Sequence, residues 1–266
     1  MNPLARTDTH GRVAVISLDR ADRHNALVPE LLTDLRSELA RITTAGSVHV
    51  VLLRAEGRSF STGGDLAAFA EHAHDPDAIA DYSERLLGEL NRAVLALLDL
   101  PVPLVVAVDG PVTGGSIGLV APGDVVVAGA SVWLQPYYAQ VGFSPDGGWT
   151  ALLPRLVGRA RVADTLLRDR RVDAHEAARW GLVSEVVDDG QVEARARAAA
   201  DRIASLKPGA VAQTCRLLAS DRLSVVAALE AEREAFCRQI RTDEARLGLQ
   251  AFLAARRTSA SRTGDV

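Results

Sequence analysis

The chain has 266 residues, of which 48% are hydrophobic and 24% charged, with a formal net charge of −4. This composition supplies a sizeable core and excludes global disorder, and the acidic balance argues against a nucleic-acid partner, which calls for a basic face. Aromatic residues make up only 4%, so aliphatic side chains must fill the interior.

The first dozen residues carry no apolar targeting segment, and no later apolar run reaches membrane-spanning length. Residues 13–19, 48–54, 103–109 and 124–128 are β-branched and almost continuously apolar, the pattern of buried strands. Between them, residues 29–41 place Leu31, Leu32, Leu35 and Leu39 at helical spacing behind Pro29. Residues 78–98 repeat that spacing with Leu86, Leu87, Leu90, Val94 and Leu97. Strands alternating with helices predict an α/β fold. His72 and His74 would point to opposite sides of a helix and the other histidines are scattered, so no metal site is expected.

Residues 147–156, 160–167 and 174–180 read as helices, the last with Asp173 as N-cap and Gly181 as its stop. A short strand at 183–187 follows, and then helices at 192–206, 208–218, 224–240 and 242–256. Cys215 and Cys237 lie in this helical part, form no CxxC and suit a reducing cytoplasm. No Pro/Gly/Ser linker separates residues 1–190 from 191–256, so the helices are expected to complete the same domain or make subunit contacts. The Ser/Thr/Arg-rich end, 257–266, is expected to be a flexible tail.

Two glycine-rich turns follow predicted strands: Phe60-Ser61-Thr62-Gly63-Gly64-Asp65-Leu66 and Asp109-Gly110-Pro111-Val112-Thr113-Gly114-Gly115-Ser116-Ile117-Gly118. A glycine pair at a strand-to-helix turn lets backbone approach a ligand and leaves N–H groups unpaired. Two such turns could aim two N–H groups at one oxygen, which is what a developing oxyanion needs. Ordinary tight turns are the bland alternative.

Taken in order, these segments resemble the crotonase (enoyl-CoA hydratase/isomerase) superfamily. The two glycine turns resemble its paired loops, and Arg20-Ala21-Asp22-Arg23-His24-Asn25-Ala26-Leu27 is similar to an upstream segment, with Ala21 in place of the usual proline. Downstream, Val141 to Gly148, Leu153 to Gly158 and Ala174 to Val183 are similar to later family segments. The resemblance implies a ββα spiral core with a C-terminal helical region, assembled as a homotrimer or homohexamer. It implies an acyl-CoA thioester as substrate, coenzyme A entering only as part of that substrate, and no other cofactor. It places the oxyanion hole at Gly64 and Gly115. Arg23, His24, Ala26, Ser61, Thr62, Gly63, Asp65 and Leu66 would hold coenzyme A, with Gly114, Gly118, Pro136 and Tyr138 also near the substrate.

The family's hydratases use two carboxylates around one water, and the matching positions here are Gly118 and Tyr138. One acid remains, Asp146, where isomerase branches place a functional aspartate and where a single carboxylate could move a proton between two carbons. The expectation is an enoyl-CoA double-bond isomerase rather than a typical hydratase. A non-catalytic or hydrolytic acyl-CoA-binding protein is the alternative. Asp146 could also be an N-cap for a helix beginning at 147, which would lower its pKa. Trp133, Tyr137 and Tyr138 could line an acyl pocket for a bulky or aromatic chain, or simply pack in the core. Gly114-Gly115-Ser116-Ile117-Gly118 also fits the G-x-S-x-G elbow of serine hydrolases, with Asp146 and His175 in triad order, but no histidine follows His175.

Overall fold

Apolar runs at 13–18, 50–53 and 104–108 have side chains buried on alternating faces, and they form the centre of a sheet covered on both sides. The computed structural model describes residues 3–219 and 221–263. β1 (Ala5–His10) and β2 (Val13–Leu18) pair antiparallel. α1 (Pro29–Ala45) leads to β3 (Val50–Ala55), and α2 (Leu66–His72) with α3 (Pro76–Leu98) leads to β4 (Leu104–Val108). β5 (Val112–Thr113) and a 3-10 helix (Gly114–Leu119) precede β6 (Val125–Gly129) and β7 (Trp133–Gln135). Short elements follow: α4 (Tyr138–Val141), α5 (Leu153–Val157), α6 (Arg159–Leu167), β8 (Val172–Asp173), α7 (Ala174–Arg179) and β9 (Glu185–Val187). The chain ends in α8 (Val192–Ala204), α9 (Pro208–Leu218), α10 (Arg222–Gln239) and α11 (Asp243–Thr263).

The main sheet has the order β1-β2-β3-β4-β6-β9 and is parallel from β2 onward; β5, β7 and β8 form a small second sheet. Ala14, Ile16, Val51, Leu53, Val106 and Val108 face the larger core, with α1 and α3. The alternate residues Val13, Val15, Val50, Leu52, Val105 and Ala107 face Val192, Ala196 and Ala200 of α8. Burial on both faces explains why these strands carry no polar alternation. Asp173 caps α7 by accepting from Glu176 N at 2.7 Å, and Gly181 turns the chain away at φ 84°. No helix among the described residues is long and apolar enough to cross a membrane.

Three expectations change. Residues 147–152 are successive turns and not the start of a helix; Gly147 and Gly148 have φ of 63° and 95°, outside the right-handed helical region. β1 and α2 were not legible in the sequence, because β1 is a mostly exposed polar edge strand and α2 buries only Phe69. The last helix runs to Thr263 instead of losing structure at 256, and residues 264–266 of the expected tail lie outside the described residues.

Candidate active site

β3 and β4 are parallel neighbours, so the two glycine-rich turns leave adjacent strands at the same edge of the sheet. The turns are then stitched together. Ser61 and Val112 form a parallel bridge, with Ser61 N bonded to Pro111 O and Thr113 N bonded to Ser61 O at 3.1 Å. Gly63 has φ 74°, and a Cβ there would stand 2.6 Å from Thr113 O, so both conformation and space require glycine. On the other flank, Leu27 N bonds Gly63 O and Asp65 N bonds Leu27 O, bridging the 20–27 loop to the first turn. Among the described residues, no acceptor takes the N–H of Gly64 or of Gly115.

Asp146 stands beside this pair: a Cβ on Gly115 would lie 2.5 Å from its Oδ1. The side chain is 8% exposed, and the Tyr138 hydroxyl donates to Oδ1 at 2.5 Å. Burial pushes the Asp146 carboxyl up to about 7; the bond from Tyr138 opposes this and the negative charge of Glu232 adds to it. Burial, followed by the facing Asp146, raises the Tyr138 phenol well above its ordinary range, so it is a proton donor in a hydrogen bond and not a phenolate. The expected helix cap at Asp146 is absent, since no helix starts at 147. Its carboxylate is directed to Tyr138, and its pKa moves opposite to a cap's.

A cavity of about 390 Å³ opens in front of these groups. His24, Thr62, Gly63, Gly64, Leu66, Gly114, Gly115, Pro136, Tyr138 and Asp146, all expected at the site, line it. Seven of the chain's eleven aromatic side chains (five Phe, three Tyr and three Trp in all) also line it, so Trp133, Tyr137 and Tyr138 are wall residues. Asp146 is the one carboxylate on that wall among the described residues.

Five expected site residues do not reach the wall and instead build the loops behind it. Ser61 is fully buried and donates to Asn25 O at 2.7 Å. Asp65 caps α2 through Ala67 N and pairs with Arg20 at 2.8 Å and Arg23 at 3.4 Å. Its burial alone would raise its pKa, but Arg20 and then Arg23 outweigh that and hold it below the usual carboxylate range. The Ala26 carbonyl accepts from Arg20, and the exposed Arg23 is turned to Asp65. Gly118 is packed under the turn, where a Cβ would stand 2.5 Å from Gly147 O and 2.7 Å from Val94. Ser116 is equally inward: its hydroxyl donates to Thr113 O at 2.7 Å and Ser61 O at 3.1 Å, while His175 is exposed on α7. No hydrolase triad is assembled.

Three residues escaped the sequence reading. Ser59 lines the cavity with its hydroxyl 3.0 Å from His24 Nδ1. Asn25, buried at φ 51°, anchors the 20–27 loop through Glu56 O and Ser59 O. Glu232 is a buried carboxylate on α10, 4% exposed. It had a signal: it occupies the apolar stripe Val225, Leu229, Phe236, where a charge calls for partners.

The family model described as enoyl-CoA hydratase/isomerase matches residues 8–260. Among curated proteins, the chain is 33% identical over 244 residues to a Rhodobacter capsulatus protein named "Probable enoyl-CoA hydratase", covering 91% of each. It is 30% identical to the 1,2-epoxyphenylacetyl-CoA isomerase of Escherichia coli K12, over 92% of this chain and 93% of that one. Among solved structures, an enoyl-CoA hydratase from Bacillus halodurans superposes with a TM-score of 0.86 at 25% identity, over 93% of this chain and 99% of the other.

Proposed function

This chain belongs to the enoyl-CoA hydratase/isomerase family of acyl-CoA enzymes, and within it we propose a double-bond isomerase that works through a thioester enolate. The thioester oxygen accepts from Gly64 N–H and Gly115 N–H, which are preorganised by the stitched turns and lose no rotamer entropy on binding. Asp146, as the carboxylate, takes a proton from the carbon next to the thioester or from the γ carbon. The electron pair left behind is delocalised onto the carbonyl oxygen, and the protonated Asp146 returns the proton at the other carbon, moving the double bond without net change in composition. Tyr138 orients the carboxylate and moderates its proton affinity.

One observation carries this reading. Among the described residues, the cavity has a single wall carboxylate, its proton affinity near neutrality, beside Gly115. A base that must both take and return a proton works best with a pKa near the working pH. Hydration of an enoyl thioester by the family's two-carboxylate arrangement is disfavoured, since Gly118 and Tyr138 stand at both of its acid positions. The aromatic wall supports a bulky or aromatic acyl group, and so does the phenyl-bearing substrate in the name of the Escherichia coli relative. The chemistry needs no cofactor beyond the coenzyme A of the substrate. Leu217, Leu218 and Leu223, each more than 70% exposed, support contact between copies of the chain; the assembly proposed is a homotrimer or homohexamer, and its place the cytoplasm.

The test is exchange of the substrate's α-proton with deuterated water, followed by NMR on phenylacetyl-CoA and on a 3-enoyl-CoA. Wild type is expected to exchange the first and isomerise the second, and Asp146→Asn to do neither while still binding both. Binding without exchange by wild type would leave only a carrier of acyl-CoA. Efficient hydration of a 2-enoyl-CoA that survives Asp146→Asn would overturn the assignment of the base.

A further inference from the structure

We propose that Glu232, on α10, is the positioning residue for Asp146. Its carboxylate gathers the amides of the 147–151 turn and so holds the base against the oxyanion hole. The inference rests on Asp146 being the base. Oε2 accepts from Gly148 N at 2.8 Å, and Oε1 accepts from Thr150 N at 2.6 Å, Thr150 Oγ1 at 2.7 Å and Ala151 N at 2.9 Å. A regular helix starting at 147 would have bonded the Thr150 and Ala151 amides to the carbonyls of Asp146 and Gly147. With no such helix, a buried acceptor must serve them, because three orphaned N–H groups would be costly.

The other side of the turn rests on the hole itself. Gly147, at φ 63°, lies directly against the backbone of Gly115, with no room for a Cβ before the Gly115 carbonyl. Trp149 Nε1 donates to Gly114 O at 2.9 Å. The turn bearing Asp146 is therefore clamped between Gly114–Gly115 and Glu232, and a displaced Glu232 would move the base relative to the donors. A misplacement of about 1 Å can lower a rate on the order of a hundredfold.

Glu232 also acts through its charge. Among the described residues, the titratable groups that act on Asp146 are Tyr138, from α4, and Glu232, from α10. Tyr138 favours the carboxylate and Glu232 favours the protonated acid. A residue that merely packed the turn would stabilise the fold without moving the acidity of Asp146.

The experiment follows the Asp146 carboxyl carbon by NMR as a function of pH, which requires no turnover, alongside α-proton exchange at saturating acyl-CoA. In Glu232→Gln the titration midpoint is expected to fall by about a unit, a tenfold change in proton affinity. The exchange rate is expected to drop about 10–100-fold with KM little changed. An unmoved midpoint in a folded Glu232→Gln protein overturns the inference, whatever happens to stability. If that variant does not fold, Glu232→Asp keeps the charge one methylene short. Loss of rate with the wild-type midpoint supports the inference, and a wild-type rate overturns it. If wild type itself exchanges nothing while the midpoint still shifts in Glu232→Gln, the functional reading fails and the positioning stands.

Discussion

The two walls of the cavity are built from different materials. On one side, Gly63–Gly64 and Gly114–Gly115 present backbone, held by main-chain bonds between turns that leave adjacent parallel strands. Next to it, Asp146, Tyr138, Phe143 and Phe236 present side chains, and the turn carrying Asp146 is held by a carboxylate from a distant helix. A backbone wall is indifferent to which reaction follows, since any thioester enolate develops charge on the same oxygen. On the proposed function, the side-chain wall decides where protons go and which acyl group fits.

Substitutions can pull the walls apart. The largest effect is expected from Asp146→Asn, with α-proton exchange falling about 10²–10⁴-fold and the dissociation constant for acyl-CoA nearly unchanged by calorimetry. Gly115→Ala keeps the N–H but would push aside Asp146 Oδ1 and Leu90, and the misplaced base is expected to lower the exchange rate on the order of a hundredfold. Binding should suffer there as well as chemistry. An intact rate would mean that the base is not held against Gly115.

Tyr138→Phe is subtler. Losing the hydroxyl removes the bond that favours the carboxylate, so the Asp146 pKa is expected to rise above about 7. The ascending limb of the rate–pH profile moves to higher pH, with about a tenfold loss at neutrality and recovery at alkaline pH. A uniform loss across pH would mean that the tyrosine acts elsewhere.

The smallest effect concerns stability. Asp146 keeps its proton in the folded protein up to about 7, against an ordinary 3.8. Its stabilising contribution is therefore complete below about 3.8 and is lost as pH rises through 7. Between pH 5 and 8 the melting temperature of wild type is expected to fall by a few degrees relative to Asp146→Asn. Parallel melting curves would contradict the burial of a titrating acid.

Legibility in the sequence followed the same division. The paired turns were visible because they stand in order with other family-like segments, since a glycine pair alone also fits an ordinary tight turn, and the doubly buried strands were visible because they lack polar alternation. Pro29 and Asp173 marked helix starts correctly, each acting within its own turn. Failures came where partners lie far apart in sequence. Asp146 before two glycines resembles a helix cap locally, yet its turn is shaped by Glu232 and Gly115, each reached only through the fold. Asp65, Ser61 and Gly118 were expected at the substrate because they sit within the motif. Adjacency along the chain did not reveal that they face inward to support it.

Glu232 and Phe236 lie one helical turn apart on the buried face of α10, the first gripping the turn of the base and the second lining the cavity. A rigid rod thus carries two traits at once. On the proposed function, any drift of α10 that enlarges the pocket for a new acyl group also retunes the base, which ties substrate range to working pH. Lineages or engineers wishing to separate them must change the helix at both positions.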